Sequence, residues 1–132
     1  MNKAKCLMSI VLCFLLAGCA ALVVFGAGTA TGVVGYKYYK GTLNVIFQAP
    51  YMETWNASLE ALKQMDIKVE RSDHSLTKGK IQAKNTDQKP VTISVKYKSE
   101  KETEAVIRVG FLGDKDASMA IKERIRKVLF EE

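Results

Sequence analysis

Val91-Thr92-Ile93-Ser94-Val95-Lys96-Tyr97-Lys98 places an apolar side chain at every odd position and a polar one at every even position. Successive side chains of a strand point to opposite faces, so this stretch predicts a β-strand with one buried and one solvated face. The same period recurs on both sides of it. Upstream, Ile81 and Ala83 alternate with Lys80, Gln82 and Lys84. Downstream, Ala105, Ile107, Val109 and Phe111 alternate with Val106 and Arg108. Turn residues separate the runs: Asn, Thr, Asp and Gln in 85–90, and the polar stretch 99–102. Three strands joined by short turns form an antiparallel meander.

Working outward, Leu43, Val45 and Phe47 alternate with Thr42, Asn44 and Ile46, which predicts an earlier strand. Ile67, Val69 and Arg71 alternate with Lys68 and Glu70, a short strand ended by the turn residues 72–75. Between these two, Ala49-Pro50 breaks the first strand, and proline is suited to opening a helix because its missing N–H is not needed there. Met52, Trp55, Leu59, Leu62 and Met65 then recur at helical spacing, predicting an amphipathic helix over 51–65 with Trp55 as its core anchor. Gly110 and Gly113 end the last strand. Asp114 and Asp116 open a final helix at its positive end. Its apolar stripe is Ala117, Ile121, Ile125, Val128 and Leu129, and Lys122, Arg124, Arg126 and Lys127 load its outer face. The expected class is α+β, in the order β-α-β-β-β-β-α. The sheet is expected to be antiparallel, with both helices covering one face.

The N-terminal part has a different composition. The chain has 132 residues, enough for one domain, yet no charged residue occurs from Cys6 to Tyr36. Ahead of that run lie Lys3 and Lys5, a positive n-region, and 7–16 is an apolar core of signal-peptide length. Leu16-Ala17-Gly18-Cys19 follows. Small side chains at Ala17 and Gly18 suit a peptidase that cuts between Gly18 and Cys19, and the Cys19 sulfur is the nucleophile that takes up a diacylglycerol. This segment resembles a bacterial lipobox at all four positions. The expected organisation is a lipoprotein signal peptide over 1–18, a lipidated Cys19 with an apolar glycine-rich tether over 19–40, and an extracytoplasmic α+β domain over 41–132. The competing reading is an uncleaved anchor, because the uncharged stretch exceeds the roughly 20 apolar residues that cross a bilayer. Either way the membrane is the first partner and the domain faces away from the cytoplasm. Ala20, in place of the aspartate that commonly retains such lipoproteins at an inner membrane, favours an outer membrane facing the periplasm in an organism of Gram-negative type.

The stretch 20–35 carries Gly28 and Gly32 at a small-xxx-small spacing, and Ala27, Thr31 and Gly35 on a neighbouring stripe. Such faces let apolar helices approach closely in a membrane. A flexible spacer is the other reading, since each glycine costs a helix up to about 1 kcal/mol. Tyr36, Tyr38 and Tyr39 with Lys37 and Lys40 suit either a membrane–water interface or the start of a strand.

The whole pattern resembles a family of small bacterial lipoproteins known as a domain of unknown function. The resemblance is carried by the lipobox, the small-residue stretch, Tyr39-Lys40-Gly41, the Ala49-Pro50 helix with Trp55, and Arg108-Val109-Gly110-Phe111-Leu112-Gly113-Asp114. It implies no activity and no functional residues. The order of elements also resembles helix-grip and TATA-binding-protein-like folds. Gln48-Ala49-Pro50 ahead of Trp55 is similar to the opening of ligand-binding helix-grip domains, and on that resemblance alone a groove for an apolar or lipid ligand is an alternative function.

Chemistry is sparse. Cys6, Cys13 and Cys19 are the three cysteines, so the expected domain has no disulfide and no thiolate metal site. The single histidine, His74, reads as an exposed turn residue beside Asp73. No enzyme, no cofactor and no metal are expected. The formal charge of +6, lowered to +4 if Lys3 and Lys5 leave with a signal peptide, is spread among acidic residues and argues against nucleic acid. Lys80, Lys84, Lys96, Lys98 and Arg108 fall together on the outward sheet face if the strands pair in order, which makes that face the candidate interaction surface. The expected function is a non-enzymatic, membrane-anchored envelope lipoprotein that binds or scaffolds another envelope protein.

Overall fold

The computed structural model describes residues 32–131. Gly18, Cys19 and most of the expected tether lie outside the described residues. Within them the strands are β1 (Val33–Tyr39), β2 (Thr42–Phe47), β3 (Lys68–His74), β4 (Lys78–Lys84), β5 (Pro90–Ser99) and β6 (Glu102–Val109). The helices are α1 (Tyr51–Gln64) and α2 (Lys115–Phe130). The chain is α+β, and the strands form one antiparallel sheet in the order β1-β2-β6-β5-β4-β3. Both helices pack on one face of it and against each other.

Strand β1 is the addition to the expected order. Residues 33–39, expected in the tether, pair along β2 from Val33↔Phe47 to Tyr39↔Thr42. Alternation is blurred there because Gly35 contributes no side chain and the edge position leaves both faces half solvated, so period-2 patterning is weak. Val34 and Tyr36 are exposed. The β1–β2 turn is made by Lys40 at φ 50° and Gly41 at φ 80°. Two successive residues in the left-handed region give the primed turn whose twist matches a hairpin.

The inward face is built by the predicted alternation. Leu43, Val45 and Phe47 of β2, Ile81 of β4, Ile93 and Val95 of β5 and Ala105 and Ile107 of β6 are fully buried. Ala61 and Leu62 of α1 and Ile121 and Ile125 of α2 close over them. Burying each large aliphatic side chain stabilises the fold by about 1.5–3 kcal/mol.

Helix α1 meets this layer on a stripe rotated from the expected one. Its buried positions are Tyr51, Thr54, Trp55, Ala57, Ser58, Ala61 and Leu62, while Met52 is 46% exposed. Small residues allow the helix backbone to come close to its neighbours, and a face of Thr, Ala and Ser does not register as apolar in a hydropathy pattern. The buried hydroxyls are satisfied within the helix: Thr54 Oγ1 donates to Pro50 O (3.0 Å) and Ser58 Oγ to Thr54 O (2.8 Å). The helix ends with Ile67 N donating to Leu62 O (2.9 Å) around Asp66 at φ 58°. That is a Schellman-type end with aspartate where glycine is usual. Helix α2 starts as predicted, Asp114 accepting from Ala117 N at 3.0 Å. Lys122, expected on its outer face, is buried instead, its Nζ 4.1 Å above the Tyr36 ring.

Strands β1 and β3 are the sheet edges, and each is interrupted by a register shift, at Val33/Gly35 and at Val69/Arg71. Bulges and the charged Lys68, Arg71 and Asp73 on β3 discourage edge-to-edge pairing with other chains.

Candidate functional site

The face of the sheet away from the helices has no covering layer among the described residues. Register defines its rows. One runs Lys80, Ser94, Val106, Asn44 and Lys37 across β4, β5, β6, β2 and β1. The next runs Lys78, Lys96, Glu104 and Ile46. The other side holds Gln82, Thr92 and Arg108. Strand pairing in order therefore brings Lys80, Lys84, Lys96 and Arg108 to one face, and Lys98 joins them by reaching Glu104 at 3.5 Å.

The basic side chains are not equivalent. Lys84 pairs with Glu70 at 3.6 Å, and Arg108 donates to the Phe111 carbonyl. An exposed ion pair such as Lys84–Glu70 contributes about 0–1 kcal/mol and is weakened by salt. Lys78, Lys80 and Lys96 have no ion pair among the described residues. All three border a concavity of about 470 Å³, together with Asp73, His74, Ser75 and Ser94. Asp73 stands opposite Lys80 and Glu104 opposite Lys96, so the corner is cationic with acids interleaved.

Beneath the corner lies the largest aromatic of the core. Trp55 is 3% exposed, as its predicted anchor role requires. Its ring sits over Gly79, where a Cβ would lie 2.5 Å from the indole Cζ3. His74 is not in a turn: β3 continues through residues 72–74, and His74 is its last residue. The imidazole stays exposed and lies 4.8 Å from the Trp55 ring, tilted by 40°. Turn-forming residue types misled here because 72–74 lie on an edge strand, where polar side chains are solvated on both faces. Tyr51 completes the cluster, its hydroxyl donating to Ser75 O at 3.0 Å. Burial pushes the Tyr51 phenol above its usual value. Elsewhere, Arg126 of α2 has a raised pKa, chiefly because it donates to Glu123 at 2.8 Å.

At the opposite end of the sheet stands a feature that sequence patterning assigned to the core. Phe111 was expected inward on the last strand, but β6 ends at Val109 and Phe111 is 84% exposed. Leu112 beside it is 93% exposed. Gly110 and Gly113 flank the pair at φ 77° and 87°, making the sharp strand-to-helix turn expected of them.

No group of His, Cys, Asp and Glu able to hold a metal occurs among the described residues, and no helix among them is long and apolar enough to cross a membrane.

The family model described as "Protein of unknown function (DUF3568)" matches residues 3–128. The chain belongs to the DUF3568 family. The match takes in both the apolar N-terminal segment and the sheet domain. No curated protein matches the chain.

Proposed function

We propose that this DUF3568 chain is a membrane-anchored bacterial lipoprotein, lipidated at Cys19, whose domain is a non-enzymatic binding module for an envelope partner. The observation that carries the binding role is the open sheet face with its corner concavity, where Lys78, Lys80 and Lys96 have no ion pair among the described residues. An acidic surface on a partner protein complements it. The anchor rests on Lys3, Lys5, the apolar 7–16 and Leu16-Ala17-Gly18-Cys19. Ala20 favours the outer membrane, facing the periplasm. Leu43, Ile93, Ile107, Leu62 and Ile121 occupy the space between helices and sheet, which favours a surface contact over an apolar ligand held inside.

Two experiments test the two halves. The intact mass of protein purified from its own membranes, beside Cys19→Ala, is expected to match Cys19 to Glu132 plus a diacylglyceryl group. A mass retaining residues 1–18 without lipid removes the lipoprotein. A photo-crosslinking residue at Ser94 in intact cells is expected to trap a discrete partner, and Lys80→Glu with Lys96→Glu is expected to abolish the adduct. Adducts unchanged by the charge reversal remove the binding face.

A further inference from the structure

We propose that the loop Gly110–Gly113, with the β1–β2 turn beside it, is a lipid-contacting tip that seats in an anionic phospholipid surface. Phe111 and Leu112 are the apolar element, adjacent in sequence and almost wholly exposed. Fixed backbone geometry holds them out. Gly113 abuts Gly41 backbone to backbone, Gly110 N donates to Pro90 O (2.7 Å), the Arg108 guanidinium donates to the Phe111 carbonyl, and Asp114 is engaged as the α2 cap. The exposure is therefore built into the turn.

Around the apolar pair stand an aromatic and several cations. Tyr39 is exposed, with Lys37 Nζ and Lys40 Nζ 5.4 and 5.3 Å from its ring centroid. Lys89 and Lys115 border the same loop. A protruding apolar pair, an amphipathic ring and a basic rim fit the acyl boundary, the interface and the headgroup layer in turn. A protein partner would have to supply a deep apolar pocket with an acidic rim, whereas an anionic bilayer offers both layers everywhere.

Gly32 lies at the far end of β1 from the turn, a rise of roughly 23 Å at about 3.3 Å per residue. The inference goes beyond the proposed function and is independent of how residues 1–19 are attached, since the readout below is at the tip.

The test uses the full chain purified from membranes and placed in nanodiscs. Phe111→Trp adds an indole at the tip, and Leu76→Trp adds one on the β3–β4 turn at the other end of the sheet, where Leu76 is 92% exposed. The discs contain brominated phosphatidylglycerol or brominated phosphatidylcholine. The tip indole is expected to shift to the blue and be quenched about twofold or more in the anionic discs. Quenching is expected to weaken in phosphatidylcholine and at high salt, and the Leu76→Trp indole is expected to stay unquenched. Unquenched emission from the tip, or equal quenching at both ends, overturns the proposal. A blue shift without bromine quenching also overturns it, because it reports burial against protein. Emission of Trp55, read in Phe111→Ser with Leu112→Ser, verifies that the core stays intact when the apolar pair is removed.

Discussion

Gly41 and Gly113 touch backbone to backbone: a Cβ added to Gly113 would lie 2.2 Å from the Gly41 Cα, and one added to Gly41 would lie 2.6 Å from the Leu112 carbonyl oxygen. Tyr39-Lys40-Gly41 and the Arg108–Asp114 stretch, far apart in the chain, thus form one end of the sheet. Gly113→Ala is expected to cost at least about 2 kcal/mol, combining strain at φ 87° with a clash against backbone that cannot swing aside. Gly110→Ala has the same sign of φ but open space around it, and is expected to cost about 1 kcal/mol. Gly35→Ala, with nothing within 4 Å, is expected to be near neutral. Urea unfolding of the three variants checks the order.

Gly79 is a close approach of a different kind, because its neighbour is a side chain. The Trp55 ring occupies the volume that a Cβ would need. Gly79→Ala is expected to displace the indole, lower stability by about 1–3 kcal/mol and shift the emission of the single tryptophan to the red. An unchanged spectrum with unchanged stability would show that Trp55 is not seated on β4.

Tyr51 links α1 to the β3–β4 turn through its bond to Ser75. Its phenol is raised above 10.0 by burial, so the folded state binds the proton more tightly than the unfolded chain does. The resulting stability is fully present below pH 10 and is lost as pH rises through the folded value. Tyr51→Phe is expected to cost about 1 kcal/mol at neutral pH and to flatten the alkaline limb. The difference between wild-type and variant urea midpoints from pH 8 to 11 measures this with the lysine titrations cancelled.

Lys122 and Tyr36 couple α2 to the edge strand. With Lys122 only 9% exposed and its Nζ 4.1 Å from the ring centroid, the cation–π contact is expected to be worth about 0.5–1 kcal/mol. A double-mutant cycle of Lys122→Met and Tyr36→Leu reads the coupling. A coupling energy near zero would mean that Lys122 is held by its aliphatic stem alone.

Sequence by itself determined the α+β class, the antiparallel meander and the inward residues of β2, β4, β5 and β6, because period-2 alternation reports burial directly wherever a strand has one dry face. It also determined the capped start of α2 at Asp114, a local bond. Period-2 alternation also put Lys80, Lys84, Lys96 and Arg108 on one face, as the register does, whereas Lys98 falls where the β5–β6 register shifts. Tertiary structure decided the rest. Only pairing to β2 makes residues 33–39 a strand. Only the close packing of small residues turns α1 so that Met52 faces water, and only the end of β6 at Val109 turns Phe111 outward. These depend on neighbours distant in the chain, and a periodicity read along one segment contains no term for them.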